Sequence, residues 1–164
     1  MKTARRQITT MPTKTTSPAR QVEGFISKFD PPVAKLARSA RRAMRKRFPT
    51  AVELVYDNYS ALAIGFSSTE RTSDVIISVA VYVSGVIIYF MYGRSLPDPK
   101  RLLQGSGKQG AFIRFTDISV LDDPAVGALL TAAEKRTKPP LHSSGRGYTI
   151  VKSISAKQRP RRRS

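Results

Sequence analysis

Few residues in this chain could do chemistry, and the first to test is Gly-Ser-Gly-Lys at Gly105–Lys108, within "LLQGSGKQGAFIRF". A phosphate-binding loop needs Gly-x-x-x-x-Gly-Lys-Ser/Thr running from a strand into a helix whose first amides meet the phosphates. Here Leu102 stands where the first glycine is required, Gln109 follows Lys108, and the flanking patterns run from helix into strand. The motif therefore reads as a helix exit, with Gly105 and Gly107 supplying positive φ at a C-cap and loop. Glu53 and Asp57 come next. Four residues apart on an expected strand, they share one sheet face and could divide acid and base roles if their surroundings separated their pKa values. No histidine, serine motif or third acid is placed beside them, so the preferred reading is a solvated strand face with cross-strand partners. Tyr56 and Tyr59 flank the acids and could line a shallow groove.

The only histidine, His142, sits in the Pro/Gly/Ser-rich "KPPLHSSGRG", and there is no cysteine. Disulfides, thiol catalysis, iron–sulfur clusters and a nitrogen/sulfur metal site within one chain are thereby excluded. A carboxylate site for a hard cation would remain, but Asp30, Asp98 and Asp123 are expected to serve as helix caps. No cofactor is expected.

Charge is the more distinctive signal. The net +18 is uneven: residues 1–20 hold five Lys/Arg and no acid, residues 135–164 hold ten and no acid, and residues 21–134 hold fourteen against eleven acids. Lys35, Arg38, Arg42, Arg45 and Lys46 line one side of an expected helix, Arg41 and Arg47 extend it, and no acid interrupts Val33 to Phe48. Solvated helix faces usually mix signs, with acid–base pairs at i,i+4. A self-repelling face points to an anion: nucleic-acid phosphates or acidic headgroups. Arg161, Arg162 and Arg163 close the chain with a second basic run. Without a base-reading motif or aromatics interleaved in the helix, such binding is expected to be weak, sequence-tolerant and steeply salt-dependent.

These residues must be positioned by elements that the hydrophobic pattern marks. Asp30-Pro31, Asp98-Pro99 and Asp123-Pro124 each place a cap acceptor before a proline and predict helix starts. The first gives a long helix with Val33, Leu36, Ala37, Ala40, Ala43, Met44 and Phe48 on one face, ended by Pro49; the second a short "PKRLLQ" helix; the third a helix burying Val126, Leu129, Leu130 and Ala133. "VEGFISKF" predicts a short amphipathic helix before them. "AVELVYD", "SALAIGF" and "AFIRF" predict strands. The uncharged Val75–Gly93 is close to membrane-span length. Its β-branched content, period-2 alternation and Ser84-Gly85 turn predict a hairpin instead, with no membrane partner.

The predicted fold is α+β, a two-layer sandwich with an antiparallel sheet of about five strands and helices before and after it. The expected division is a disordered basic tail at 1–20, a folded body at 21–138, and a basic extension at 139–164 carrying a short strand at 147–154. Both ends read as mobile, being acid-free and poor in apolar residues. No hydrophobic stretch follows the basic N-terminus, so a secretory signal is not expected and the location reads as cytoplasmic. The hairpin's "GVIIYFMYG" is apolar on both faces, which leaves room for a homodimer through the sheet.

With these pieces placed, their order resembles the YdhG-like family of small bacterial domains of unknown function, over approximately residues 22–137. The basic helix closed by Pro49, Glu53-x-x-Tyr56, the aromatic-rich hairpin, and Ile113-Arg114-Phe115 before an Asp/Pro-led helix carry it. The segment "IVKSISAKQRPRRR" also looks like the ending of some members. The resemblance implies a cytoplasmic, single-domain α+β protein without an established reaction. It makes Glu53, Tyr56 and Arg114, with Asp57 alongside, candidates for a shared groove. One branch is described as frataxin-like iron chaperones, a task that would require an exposed acidic ridge where this chain has a basic helix. Three functions are thus expected in order: a non-enzymatic module binding a polyanion such as nucleic acid, an iron chaperone using Glu53 and Asp57, and an enzyme with a groove near Glu53 and Tyr56.

Overall fold

The computed structural model describes residues 16–163, so most of the basic N-terminal segment lies outside it. Ser17 opens the first helix, α1 (Pro18–Ser27): its hydroxyl accepts the amide of Arg20 at 3.3 Å, and Pro18 takes the first turn, where no N–H is missed. The helix thus begins inside the segment expected to be disordered. Val22, Phe25 and Ile26 are its buried stripe. Helix α2 (Pro31–Arg47) buries Ala34, Ala37, Ala40 and Met44, the small residues letting it lie close on the sheet. Asp30 does not cap it by its side chain. Helix α3 (Pro124–Lys135) starts as expected, with the Asp123 carboxylate accepting the amide of Ala125 at 2.9 Å, and buries Val126, Leu129, Leu130 and Ala133.

The sheet has six strands: β1 (Val52–Asp57), β2 (Leu62–Ser67), β3 (Val75–Tyr82), β4 (Gly85–Phe90), β5 (Ala111–Phe115) and β6 (Thr149–Ile154). Their order is β5-β4-β3-β2-β1-β6, antiparallel except that β6 runs parallel to β1 at the edge. The fold is α+β, with helices before and after the meander; the sixth strand, β6, is the short strand expected within 147–154, here joined to the sheet. Leu62, Ile64 and Phe66 pair with Val81, Val79 and Ile77, which pair in turn with Val86, Ile88 and Phe90. This row packs with the three helices into the main core. The hairpin is present, with its turn at Val83-Ser84, one residue earlier than expected, because Gly85 already pairs with Tyr82. Among the described residues no helix is long and apolar enough to cross a membrane.

One predicted helix is absent. At "PKRLLQ" the Asp98 carboxylate accepts the amides of Leu102 and Leu103, each at 2.9 Å, and Arg101 takes φ +53°. The short side chain supplies the acceptors that a helical turn would otherwise provide, and so few residues cannot offset the cost of a helix nucleus. Gly105 does adopt a positive φ, +111°, but with no helix to close; its neighbour Gln104 bridges to Phe112.

Candidate functional site

Strand β1 departs most from its expected behaviour. Glu53, Val55 and Asp57 point toward the helices, while Val52, Leu54 and Tyr56 turn to the other sheet face and join a smaller cluster with Val75 and Ile150. The two acids are therefore not on a solvated face: Glu53 is 3% exposed and Asp57 0%. An ionised carboxylate at such depth requires a paired cation and filled lone pairs. Arg41, itself 8% exposed, meets Glu53 through two bonds, Nε to Oε2 at 2.7 Å and Nη2 to Oε1 at 2.8 Å. The Thr149 hydroxyl on β6 adds a third at 2.7 Å. Asp57 accepts Nη2 of Arg161 at 2.8 Å on one oxygen and Nζ of Lys28 at 3.2 Å on the other.

This arrangement takes the acid–base and metal roles away from the pair. Four residues of extended chain hold the two carboxylates roughly 13 Å apart, too far for a shared proton or ion, and each faces cations. Among the described residues no group of three or more acids or histidines is placed to hold a metal ion. Nor does the expected groove assemble. Tyr56 lies on the opposite face from Glu53 and Asp57, its hydroxyl meeting that of Thr72. Arg114 is on β5, four strand spacings from β1, about 19 Å across the sheet, and its guanidinium sits 5.8 Å from the Phe112 ring. Tyr59 is exposed in the β1–β2 turn, where its carbonyl accepts the amide of Arg159 at 2.8 Å. His142 is exposed, and only its carbonyl is engaged, by the Thr50 hydroxyl at 2.7 Å.

The basic helix divides into two sets. Arg41 is buried as described. Arg38 pairs with Glu23 of α1 at 2.8 Å, and Arg47 with Glu134 of α3 at 2.8 Å, so these cations tie α2 to its neighbours. Lys35, Arg42, Arg45 and Lys46 are exposed, with no ion-pair partner among the described residues. Arg42 and Arg45 line a shallow recess of about 370 Å3 with Arg38, Arg41 and Glu23. Arg45 also borders a second recess of about 240 Å3 beside Arg146 and Tyr148. There the Tyr148 phenol donates to Glu70 at 2.5 Å, a bond that pushes its pKa above the ordinary phenol value.

The closing segment, expected to be mobile and anion-binding, packs on the body, and the fold itself takes the guanidinium groups of Arg161 and Arg162, leaving that of Arg163 exposed. Arg161 is 5% exposed. Beyond Asp57 it donates to the carbonyls of Asn58 at 2.6 Å and Tyr59 at 3.3 Å, with its guanidinium 5.4 Å from the Phe29 ring. Arg162 donates to the carbonyls of Lys28 and Ser27 at 3.1 and 3.2 Å, orphan acceptors at the end of α1. The Arg163 amide donates to Asp30 at 3.2 Å, which is what occupies that would-be cap. Sequence reasoning missed these roles, although a signal existed: two acids inside an apolar strand oblige the fold to find them cations.

Comparisons with protein-family models, curated proteins and solved structures find no match.

Proposed function

We propose that the domain is a non-enzymatic, cytoplasmic binding module for a polyanion, nucleic-acid phosphates in particular, and that the outer face of α2 is its contact surface. The observation carrying this reading is the residue set left after internal pairing: Lys35, Arg42, Arg45 and Lys46 share one helix face, are exposed, and have no acid on their own helix. Like charges at this density repel and lower stability slightly, a cost that the negative charges of an anionic ligand would offset, with the release of its condensed counterions favouring binding further. The net charge of +18 favours association with any extended polyanion at low ionic strength. Nothing on this face reads bases, so the proposed binding is sequence-tolerant.

The test is electrophoretic mobility of a random-sequence duplex across a salt series, for the wild type and for Arg42→Gln/Arg45→Gln/Lys46→Gln. Wild-type binding at low salt, weakened in the variant with a shallower salt slope, supports the reading. Absence of a shift at low ionic strength, or equal shifts by both proteins, removes it.

A further inference from the structure

The sheet face that the helices leave uncovered carries a different arrangement. Tyr89 and Phe112 stand opposite each other on β4 and β5, half-buried, and Ile87 pairs with Arg114 one step along. Glycines of the preceding loop set their posture. A Cβ at Gly110 would lie 1.7 Å from the Tyr89 hydroxyl, and one at Gly105 would lie 3.1 Å from the Phe112 ring. Both aromatic side chains are thus seated over glycine, which gives Gly105 of the Gly-Ser-Gly-Lys motif, and Gly110 just after it, a packing role that no phosphate loop explains. Beside them runs a trough of about 360 Å3, with Ala63, Ser78 and Ala80 among its small lining residues and Tyr56, Tyr82 and Tyr89 also along it.

Cations lie beside these rings: the Arg114 guanidinium is 5.8 Å from the Phe112 ring, and Arg94 is 3.8 Å from the point that a Cβ at Gly105 would occupy. From Arg94 to Arg114 there are five Lys/Arg and one acid, Asp98. Asp98 is held by the amides of Leu102 and Leu103, and all five cations are exposed with no ion pair among the described residues. Nε of Arg94 donates to the Gly107 carbonyl at 2.8 Å, fixing it against the loop.

We propose that this face binds single-stranded nucleic acid, its bases stacking on Tyr89 and Phe112 and its phosphates meeting Arg94, Lys108 and Arg114. Interleaved aromatic faces and cations are what an unpaired strand needs, because each base offers a π face and each linkage a charge. A duplex keeps its bases stacked on one another and gains nothing from the rings. A second copy docked face to face would bring Arg94 and Arg114 of each copy toward one another, so charge complementarity favours the nucleic acid. The proposal takes its ligand class from the polyanion reading above, but not its residues, since α2 lies on the other side of the sheet.

The experiment follows tyrosine emission, which reports ring stacking directly because the chain has six tyrosines and no tryptophan. A short oligothymidylate and a blunt-ended two-strand duplex are titrated into the wild type, Tyr89→Leu, Arg114→Gln and Arg42→Gln/Arg45→Gln. The oligothymidylate should quench wild-type emission, and Tyr89→Leu should weaken its binding roughly ten- to hundredfold while leaving the duplex unaffected. Arg114→Gln, at an exposed position, should weaken the oligothymidylate by a smaller factor and covers the case in which Tyr89→Leu fails to fold. Quenching that persists while the α2 variant loses nothing on the duplex would support this site and sink the helix reading. No quenching at low salt, affinity unchanged in both sheet-face variants, or a sedimenting dimer that excludes the oligothymidylate would overturn the proposal.

Discussion

Helix α2 and residues 159–163 are both arginine-rich, yet their guanidinium groups meet different surroundings. On α2 the outward positions Lys35, Arg42, Arg45 and Lys46 face solvent, and only Arg38, Arg41 and Arg47 reach a carboxylate. In the later run Arg161 is buried on Asp57, and Arg162 is bound to the last carbonyls of α1. The difference originates in β1. Its two inward acids must be neutralised, one by the helix above and one by the chain returning past β6. A basic run is thus available to a ligand only as far as the fold's own acids and orphan carbonyls leave it so.

The largest effect expected from breaking this contrast is at β1. Asp57→Ala strands Arg161, whose Nε is already without a partner, in the interior; Glu53→Ala does the same to Arg41. Each should lower unfolding free energy by about 3–5 kcal/mol, read from urea midpoints, against a total of about 5–15 kcal/mol for a domain of this kind. Replacing Arg41 and Glu53 together with methionine should restore most of that loss. A double variant as unstable as the single would mean the pair does more than neutralise itself. Next comes Arg161→Ala, which leaves Asp57 with Lys28 and should cost about 1.5–3 kcal/mol, without changing affinity for a duplex. Arg38→Gln breaks a half-exposed pair with Glu23 and should cost less than about 1 kcal/mol. The smallest effect concerns pH. The Ser119 amide holds the Asp117 carboxyl below its ordinary value, so its contribution is complete above pH 3.8 and is lost as pH falls through the lower folded value. Asp117→Asn should flatten that acid limb in a melting-temperature series.

Much of the fold was legible because its signals are local. The apolar stripe of α3 with Asp123 before it, the alternation of Leu62, Ile64 and Phe66, and the β-branched hairpin each show within a short window. Asp98 misled because an aspartate before proline caps a helix and closes a turn with the same oxygens. The position of β6 beside β1 was not legible: parallel pairing joins residues far apart in sequence and leaves no turn signature. The site was half legible for the same reason. The positive face of α2 can be read from its spacing, but which arginines are taken depends on partners 12, 87 and 104 residues away, at Glu53, Glu134 and Asp57. The aromatic face near Gly105 and Gly110 was hidden because its cations and rings come from separate strands and a loop.

The central claim, that exposed α2 cations bind while buried arginines hold the fold, is tested most directly by the salt dependence of duplex affinity in two variants measured side by side. Lys35→Gln/Arg42→Gln/Arg45→Gln/Lys46→Gln should melt at or slightly above the wild-type temperature, because like-charge repulsion is relieved, and lose roughly 0.9 in the slope of log Kobs against log salt for each phosphate contact removed. Arg161→Ala should lose melting temperature and keep the slope. A four-site variant with the wild-type slope, or an Arg161 variant that loses slope and not stability, would contradict the account.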